Sequence, residues 1–91
     1  MYEITRKQRQ LAKELGLTIE PSKKSKYKLD VYHNGDYLTS IGDINYNDYF
    51  VYLREQGQEL AEIRRSFYAR RHRKDLLKLR GFLSGRLLWN I

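Results

Sequence analysis

Two side chains in this sequence have a spacing suited to acid–base or metal chemistry. His72 and Asp75 stand three residues apart, and on a helix that spacing sets an imidazole beside a carboxylate, as a general-base pair or part of a metal-dependent nuclease site requires. The remainder of such a site is not in the sequence. Histidine occurs twice and cysteine not at all, and His33 falls beside a turn. No HExxH motif, Gly-rich phosphate loop or nucleophile elbow is present. A nuclease would have to recruit carboxylates from the acidic middle of the chain. An imidazole capped by its neighbouring carboxylate is the simpler expectation. The chain is therefore read as non-enzymatic, with no catalytic residue, metal ligand or cofactor.

A stronger signal surrounds that pair. Residues 64–75 run Arg-Arg-Ser-Phe-Tyr-Ala-Arg-Arg-His-Arg-Lys-Asp, six Lys/Arg in twelve positions. At about 100° per residue these charges encircle a helix rather than occupying one side of it. Either some arginines pair with carboxylates such as Asp43 or Asp48, or the helix projects into an anionic partner. The guanidinium fork suits carboxylate and phosphate alike. Arg64, Arg65, Arg70, Arg71, His72, Arg73 and Lys74, together with Lys23, Lys24 and Lys26 from an earlier basic stretch, form the expected nucleic-acid-binding set. Contacts of this kind position a protein on a phosphate backbone without reading bases.

Charge along the chain supports an interaction surface. The net charge of +7 divides into +4 over residues 1–30, −4 over 31–60 and +7 over 61–91. An evenly basic chain would merely be soluble; segregation of this kind marks a face, unless the acidic middle neutralises the ends internally. With 41% hydrophobic and 13% aromatic residues, the chain can form a core, although one of modest size in 91 residues. No apolar run approaches the length of a membrane span, and the first residues lack the apolar segment of a signal peptide.

The elements that must position these residues follow from local pattern. Thr5 and Gln8 fit a capping box ahead of an amphipathic helix over residues 6–15, which Gly16 stops. Residues 21–26, Pro-Ser-Lys-Lys-Ser-Lys, read as a basic linker. Asn34-Gly35 predicts a type I′ turn between strands 26–33 and 36–42. In that register Tyr32 opposes Tyr37 and Val31 opposes Leu38. Tyr27, Leu29, Val31 and Leu38 then share one face, and Tyr32, Tyr37 and Ile41 the other, with the two tyrosines acting as a cross-strand staple or as platforms for bases. Residues 47–55 predict a helix capped at its start, with Tyr46, Tyr49, Phe50 and Leu53 at helical spacing as core. Gly57 interrupts it. A longer basic helix over 59–79 follows, with Leu60, Ile63 and Phe67 inward. The short, glycine-punctuated apolar segment 81–89 is expected to fold back over the hairpin and long helix, Trp89 acting as a core plug or a hydrophobic anchor. The expected fold is a small single α+β domain: an N-terminal helix region (1–20), the linker (21–26) and a compact module of hairpin and helices (27–91).

Over residues 4–89 the sequence also resembles an uncharacterised family of small basic proteins encoded by tailed phages and large DNA viruses. The resemblance lies in Ile4-Thr5-Arg6-Lys7-Gln8-Arg9 with Leu15-Gly16, Lys28-Leu29-Asp30-Val31-Tyr32 before Asn34-Gly35, Ser40-Ile41-Gly42, and Tyr46-Asn47-Asp48-Tyr49. It continues in Arg64-Arg65, Tyr68, Arg71-His72, Lys74-Asp75, Gly81 and Leu87-Leu88-Trp89. It implies a viral origin and a genome- or virion-associated role in the host cytoplasm or the particle. Two functions are expected on these grounds. One is a nucleic-acid-binding accessory, most naturally of DNA, that neutralises phosphates. The other is a minor capsid protein whose basic helix docks on acidic viral structural subunits.

Overall fold

The computed structural model describes residues 1–91. Its class is α+β, as expected, with four α-helices and a three-stranded antiparallel sheet in the order β1-β2-β3. The chain divides into two compact units, Met1–Tyr46 and Asn47–Ile91. The boundary thus falls within the stretch 27–91 that was expected as one module.

The first unit opens with α1 (Arg6–Glu14). Its capping box is complete: the Gln8 amide donates to Thr5 Oγ1 (3.1 Å), and the Thr5 amide to Gln8 Oε1 (2.9 Å). Gly16, at φ +74°, ends the helix in a Schellman motif, with Leu17 N donating to the Ala12 carbonyl at 2.9 Å. The chain then enters β1 (Thr18–Pro21), a short strand with no counterpart in the sequence expectations, which pairs antiparallel with β2 (Tyr27–His33). Pro21 is tolerated there because β1 is an edge strand and the proline is its last residue. Residues 22–26, expected as a linker, form the turn joining β1 to β2. Ser22 N donates to the Lys28 carbonyl (3.0 Å) and Tyr27 N to that of Lys24 (3.1 Å).

Strands β2 and β3 (Asp36–Asp43) meet at Asn34 and Gly35, whose φ values of +51° and +86° are those a type I′ turn demands. Tyr32 opposes Tyr37 as expected, their rings edge to face at 6.0 Å. One residue further the register departs from expectation. Val31 opposes Thr39, leaving Leu38 as the extra residue of a β-bulge. A shift of one residue exchanges the two faces of a strand. Ile41 therefore joins Leu29 and Val31 and is buried, while Leu38 is exposed. Ile19 of β1 lies on the same face, and α1, packed against β1, buries Leu11 and Ala12.

The second unit is helical. Asp48, one residue past the expected cap, accepts the Phe50 and Val51 amides at 2.9 and 3.0 Å and starts α2 (Tyr49–Gln56). Gly57, at φ +95°, separates α2 from α3 (Gln58–Arg71). The long basic helix expected to reach residue 79 stops at Arg71. A turn follows, then a 3₁₀ segment (Asp75–Leu77) and α4 (Leu79–Trp89). The short apolar segment expected after Gly81 is thus the body of a helix. Its glycines do not punctuate it; they let it close on the 3₁₀ segment. A Cβ at Gly81 would collide with the Asp75 carbonyl, and one at Gly85 would lie 2.6 Å from Leu76 Cδ2. Leu83, Leu87 and Leu88 of α4 are buried, as are Tyr49, Phe50 and Ala61. Tyr46 and Leu53, expected in the core, and Ile63 and Phe67, expected inward, are exposed; α3 buries Ala61 and half-buries Arg65 and Tyr68 instead.

Candidate nucleic-acid interface

The chain corner between α3 and α4 concentrates positive charge. Residues 70–80 hold Arg70, Arg71, Arg73, Lys74, Lys78 and Arg80 against the single carboxylate of Asp75, and every one of these seven is exposed. The first two lie in the last turn of α3, where cations complement the helix dipole. Main-chain hydrogen bonds fix the corner: His72 N donates to the Tyr68 carbonyl (2.9 Å), Asp75 N to that of His72 (2.9 Å), and Lys78 N to that of Asp75 (3.1 Å).

An aromatic column supports this corner from within. The Tyr68 ring stacks on Trp89 at 4.4 Å and on His72 at 4.3 Å, and Tyr52 approaches Trp89 at 6.3 Å. Trp89 is half-buried, so its role is that of a stacking partner and not of an enclosed plug. Burial, with a lesser contribution from the Asp75 charge, pushes the Tyr68 hydroxyl above its ordinary value, partly offset by Arg71. His72 Nδ1 lies 3.0 Å from Asp75 Oδ2. The pair anticipated from their spacing therefore forms. No third His, Asp or Glu completes a metal-holding group with them.

The expected binding residues separate into several roles. Arg65 is committed to its own unit: it pairs with Glu62, donates to the Asn90 carbonyl (3.0 Å) and lies over the Tyr49 ring at 4.7 Å. Glu62, one helical turn away on α3, is thus the carboxylate that takes an arginine; Asp48, named as a candidate, caps α2. The Tyr49 hydroxyl donates to Glu62 as well (2.8 Å), and burial followed by this bond raises its pKa. His72 is held in the stack. Arg64 lies over the Tyr52 ring and Arg70 over Phe67, each at 5.5 Å, with their side chains at the surface. Arg71, Arg73 and Lys74 are exposed and enter no ion pair or hydrogen bond. Lys78 and Arg80 extend the basic corner beyond the residues expected from sequence. That set ended at Lys74, although the spacing of Lys78 from Lys74 and of Arg80 from Arg73 on a helix was a signal that could have included them.

Lys23, Lys24 and Lys26 lie on the β1–β2 turn, where a buried carboxylate organises the backbone. Asp30, 4% exposed, accepts from Ser22 Oγ and Ser40 Oγ, each at 2.6 Å, and from the Lys23 amide at 3.1 Å. Burial alone would raise its pKa; the two hydroxyls, the amide and the Lys24 charge outweigh burial and hold it below the ordinary carboxylate value. Ser40 also shares a hydrogen with the Tyr37 hydroxyl (2.6 Å), to which Lys24 Nζ donates at 3.0 Å. This bond raises the Lys24 pKa and, together with Ser40, lowers that of Tyr37. Tyr37 is thus tied into a polar chain. Lys23 and Lys26 remain exposed.

No protein-family model matches this chain, and the searches of curated proteins and of solved structures returned no similar protein.

Proposed function

We propose that this chain is a non-enzymatic nucleic-acid-binding protein that neutralises backbone phosphates through the corner at residues 70–80 without reading sequence. The observation that carries the reading is the exposed trio Arg71, Arg73 and Lys74, which no carboxylate of the chain engages, beside Arg65, which its own unit has consumed. Cations left unpaired on a backbone held by its own hydrogen bonds break no internal ion pair on meeting a polyanion, although ordering each long side chain costs about 0.5–1.5 kcal/mol. Lys78 and Arg80 extend the same surface. Lys23 and Lys26 form a secondary basic patch on the other unit. The resemblance to small basic viral proteins fits a genome- or virion-associated accessory acting in the host cytoplasm or the particle.

The test is binding of labelled single- and double-stranded DNA across a salt series. Each phosphate contact contributes about 0.9 to the logarithmic salt slope on duplex DNA. An R71A/R73A/K74A variant should therefore flatten that slope by about 2.7 units while keeping its thermal midpoint. Absence of wild-type binding at low salt, or an unchanged slope in the folded variant, sinks the reading.

One observation favours a second reading, a minor structural protein of a virus particle. Ile63 and Phe67 stand one helical turn apart on α3, 44% and 47% exposed, and an apolar pair among arginines suits an acidic protein subunit. Assembly that tolerates high salt, without affinity for free DNA, would favour it.

A further inference from the structure

We infer that the corner binds duplex DNA specifically as a wedge, with Leu77 entering between base pairs from the minor groove while the flanking cations hold the phosphates. This rests on the phosphate-binding reading and adds the form of the ligand and a deformation of it.

Leu77 is 89% exposed, the most of any large hydrophobic side chain after Met1, with Tyr46 next at 70%. It does not sit on a loose loop. It ends the 3₁₀ segment, whose next amide, that of Lys78, bonds back to the Asp75 carbonyl at 3.1 Å, while Leu77 N reaches the Lys74 carbonyl at 3.3 Å. From the other side α4 closes directly on this segment, because Gly81 has no Cβ to strike the Asp75 carbonyl. Leu76 is half-buried with Cδ2 against Gly85. Adjacent leucines thus have opposite fates. One anchors the segment to α4, and that anchoring holds the other out in water.

A protruding apolar tip contributes nothing to phosphate neutralisation. It acquires a use when the polyanion also offers an apolar interior that opens at modest cost, as stacked base pairs do. Proteins that bend DNA from the minor groove insert Leu, Ile, Phe or Met between base steps and recover the unstacking cost through phosphate contacts on either side. The sequence around Leu77 has that order: Arg73 and Lys74 before it, Lys78 and Arg80 after it. Charge complementarity selects the occupant, since six cations face one carboxylate across residues 70–80. A single strand is a poorer match, because it is gripped by stacking on aromatic rings, and the tip carries a leucine. Leu79, 54% exposed, widens the apolar edge behind the tip.

The test uses the full chain and a duplex of about 25 base pairs with a donor and an acceptor dye at its ends, where a wedge bends DNA by on the order of 20–90°. Wild type should raise energy transfer. Leu77→Ala should abolish the rise with an affinity loss of less than about tenfold, because phosphate contacts supply most of the affinity. Leu77→Phe should retain the bend. Both substitutions fall on an exposed side chain, and an unchanged thermal midpoint verifies folding. Binding without any bend, or an equal bend by Leu77→Ala, overturns the wedge and leaves phosphate binding standing. Failure of wild type to bind duplex at low salt overturns the wedge, and failure to bind either duplex or single strand overturns phosphate binding as well. Leu77-dependent capture of phosphatidylserine-containing vesicles, with bound duplex left straight, overturns the wedge in favour of a lipid surface.

Discussion

In the sheet-containing unit a buried carboxylate gathers its surroundings inward: Asp30 collects two hydroxyls and an amide, and the Lys24 ammonium closes the chain of bonds through Tyr37. In the helical unit six cations between residues 70 and 80 stand at the surface around one exposed carboxylate. The local density of basic residues is similar in the two places, with Lys23, Lys24, Lys26 and Lys28 close together in the first. What differs is how far the fold has used them: Lys24 is bonded to Tyr37 and Lys28 lies over the Tyr2 ring at 5.5 Å, whereas Arg71, Arg73 and Lys74 enter no ion pair or hydrogen bond. A run of positive charge therefore identifies a candidate surface only after its internal partners have been subtracted.

That subtraction is most exposed to test where packing holds the basic corner in place. Gly81→Ala should have the largest effect, about 3 kcal/mol or more of destabilisation, because the new methyl meets backbone that cannot move without lifting α4 off the 3₁₀ segment. Gly85→Ala should cost much less, since it meets the end of the Leu76 side chain, which can rotate. Chemical denaturation of the two variants, with the salt slope measured for each, would show whether the corner needs its support. If Gly81→Ala is as stable as wild type, the close approach of α4 is not what fixes the turn.

Arg65→Ala isolates a consumed cation. Losing its contacts with Glu62, the Asn90 carbonyl and the Tyr49 ring should lower stability by about 1.5–3 kcal/mol, the range for hydrogen bonds to charged groups. The salt slope for DNA should not change. A flatter slope with unaltered stability would place Arg65 among the binding residues after all.

In the first unit, Asp30→Asn should cost about 1–2 kcal/mol at neutral pH, by weakening hydrogen bonds that the carboxylate accepts. The pH dependence has a definite sign. Because the folded-state pKa lies below the ordinary value, Asp30 contributes its full stability above the unfolded-state pKa and loses it as pH falls through the folded one. The difference between wild type and Asp30→Asn, followed by thermal melts, should therefore shrink on acidification. A difference that grows in acid would contradict the assignment.

Much of this architecture was legible from residues that leave the backbone little choice. Asn34-Gly35 and Gly16 specify positive φ, and Thr5 with Gln8 specifies a helix start; each is local, and each is where expected. β1 was hidden because four residues ending in proline form a strand only when β2 supplies its ladder. The end of α3 was hidden for a related reason. His72, Arg73 and Lys74 are all acceptable in a helix, and the break accompanies the stacking of Tyr68 on Trp89 at the far end of α4 and the close fit of Gly81 on the Asp75 carbonyl, contacts that only the fold makes. The basic run itself was plain, but composition could not separate Arg65 from Arg71, because only the fold reveals which guanidinium has met Glu62 and the Asn90 carbonyl.

The bulge at Leu38 bears on how this gene can vary. Loss of one codon within a strand ordinarily turns every later side chain over, sending core residues into solvent. Here the ladder already carries one residue too many: Tyr32 faces Tyr37, Val31 faces Thr39, and Leu38 has no partner between them. Loss of that single codon would bring Tyr37 and Thr39 into succession and leave Leu29 opposite the same isoleucine. Position 38 is thus the place in the hairpin where an in-frame deletion is absorbed, and where lengths can drift between lineages without disturbing the core.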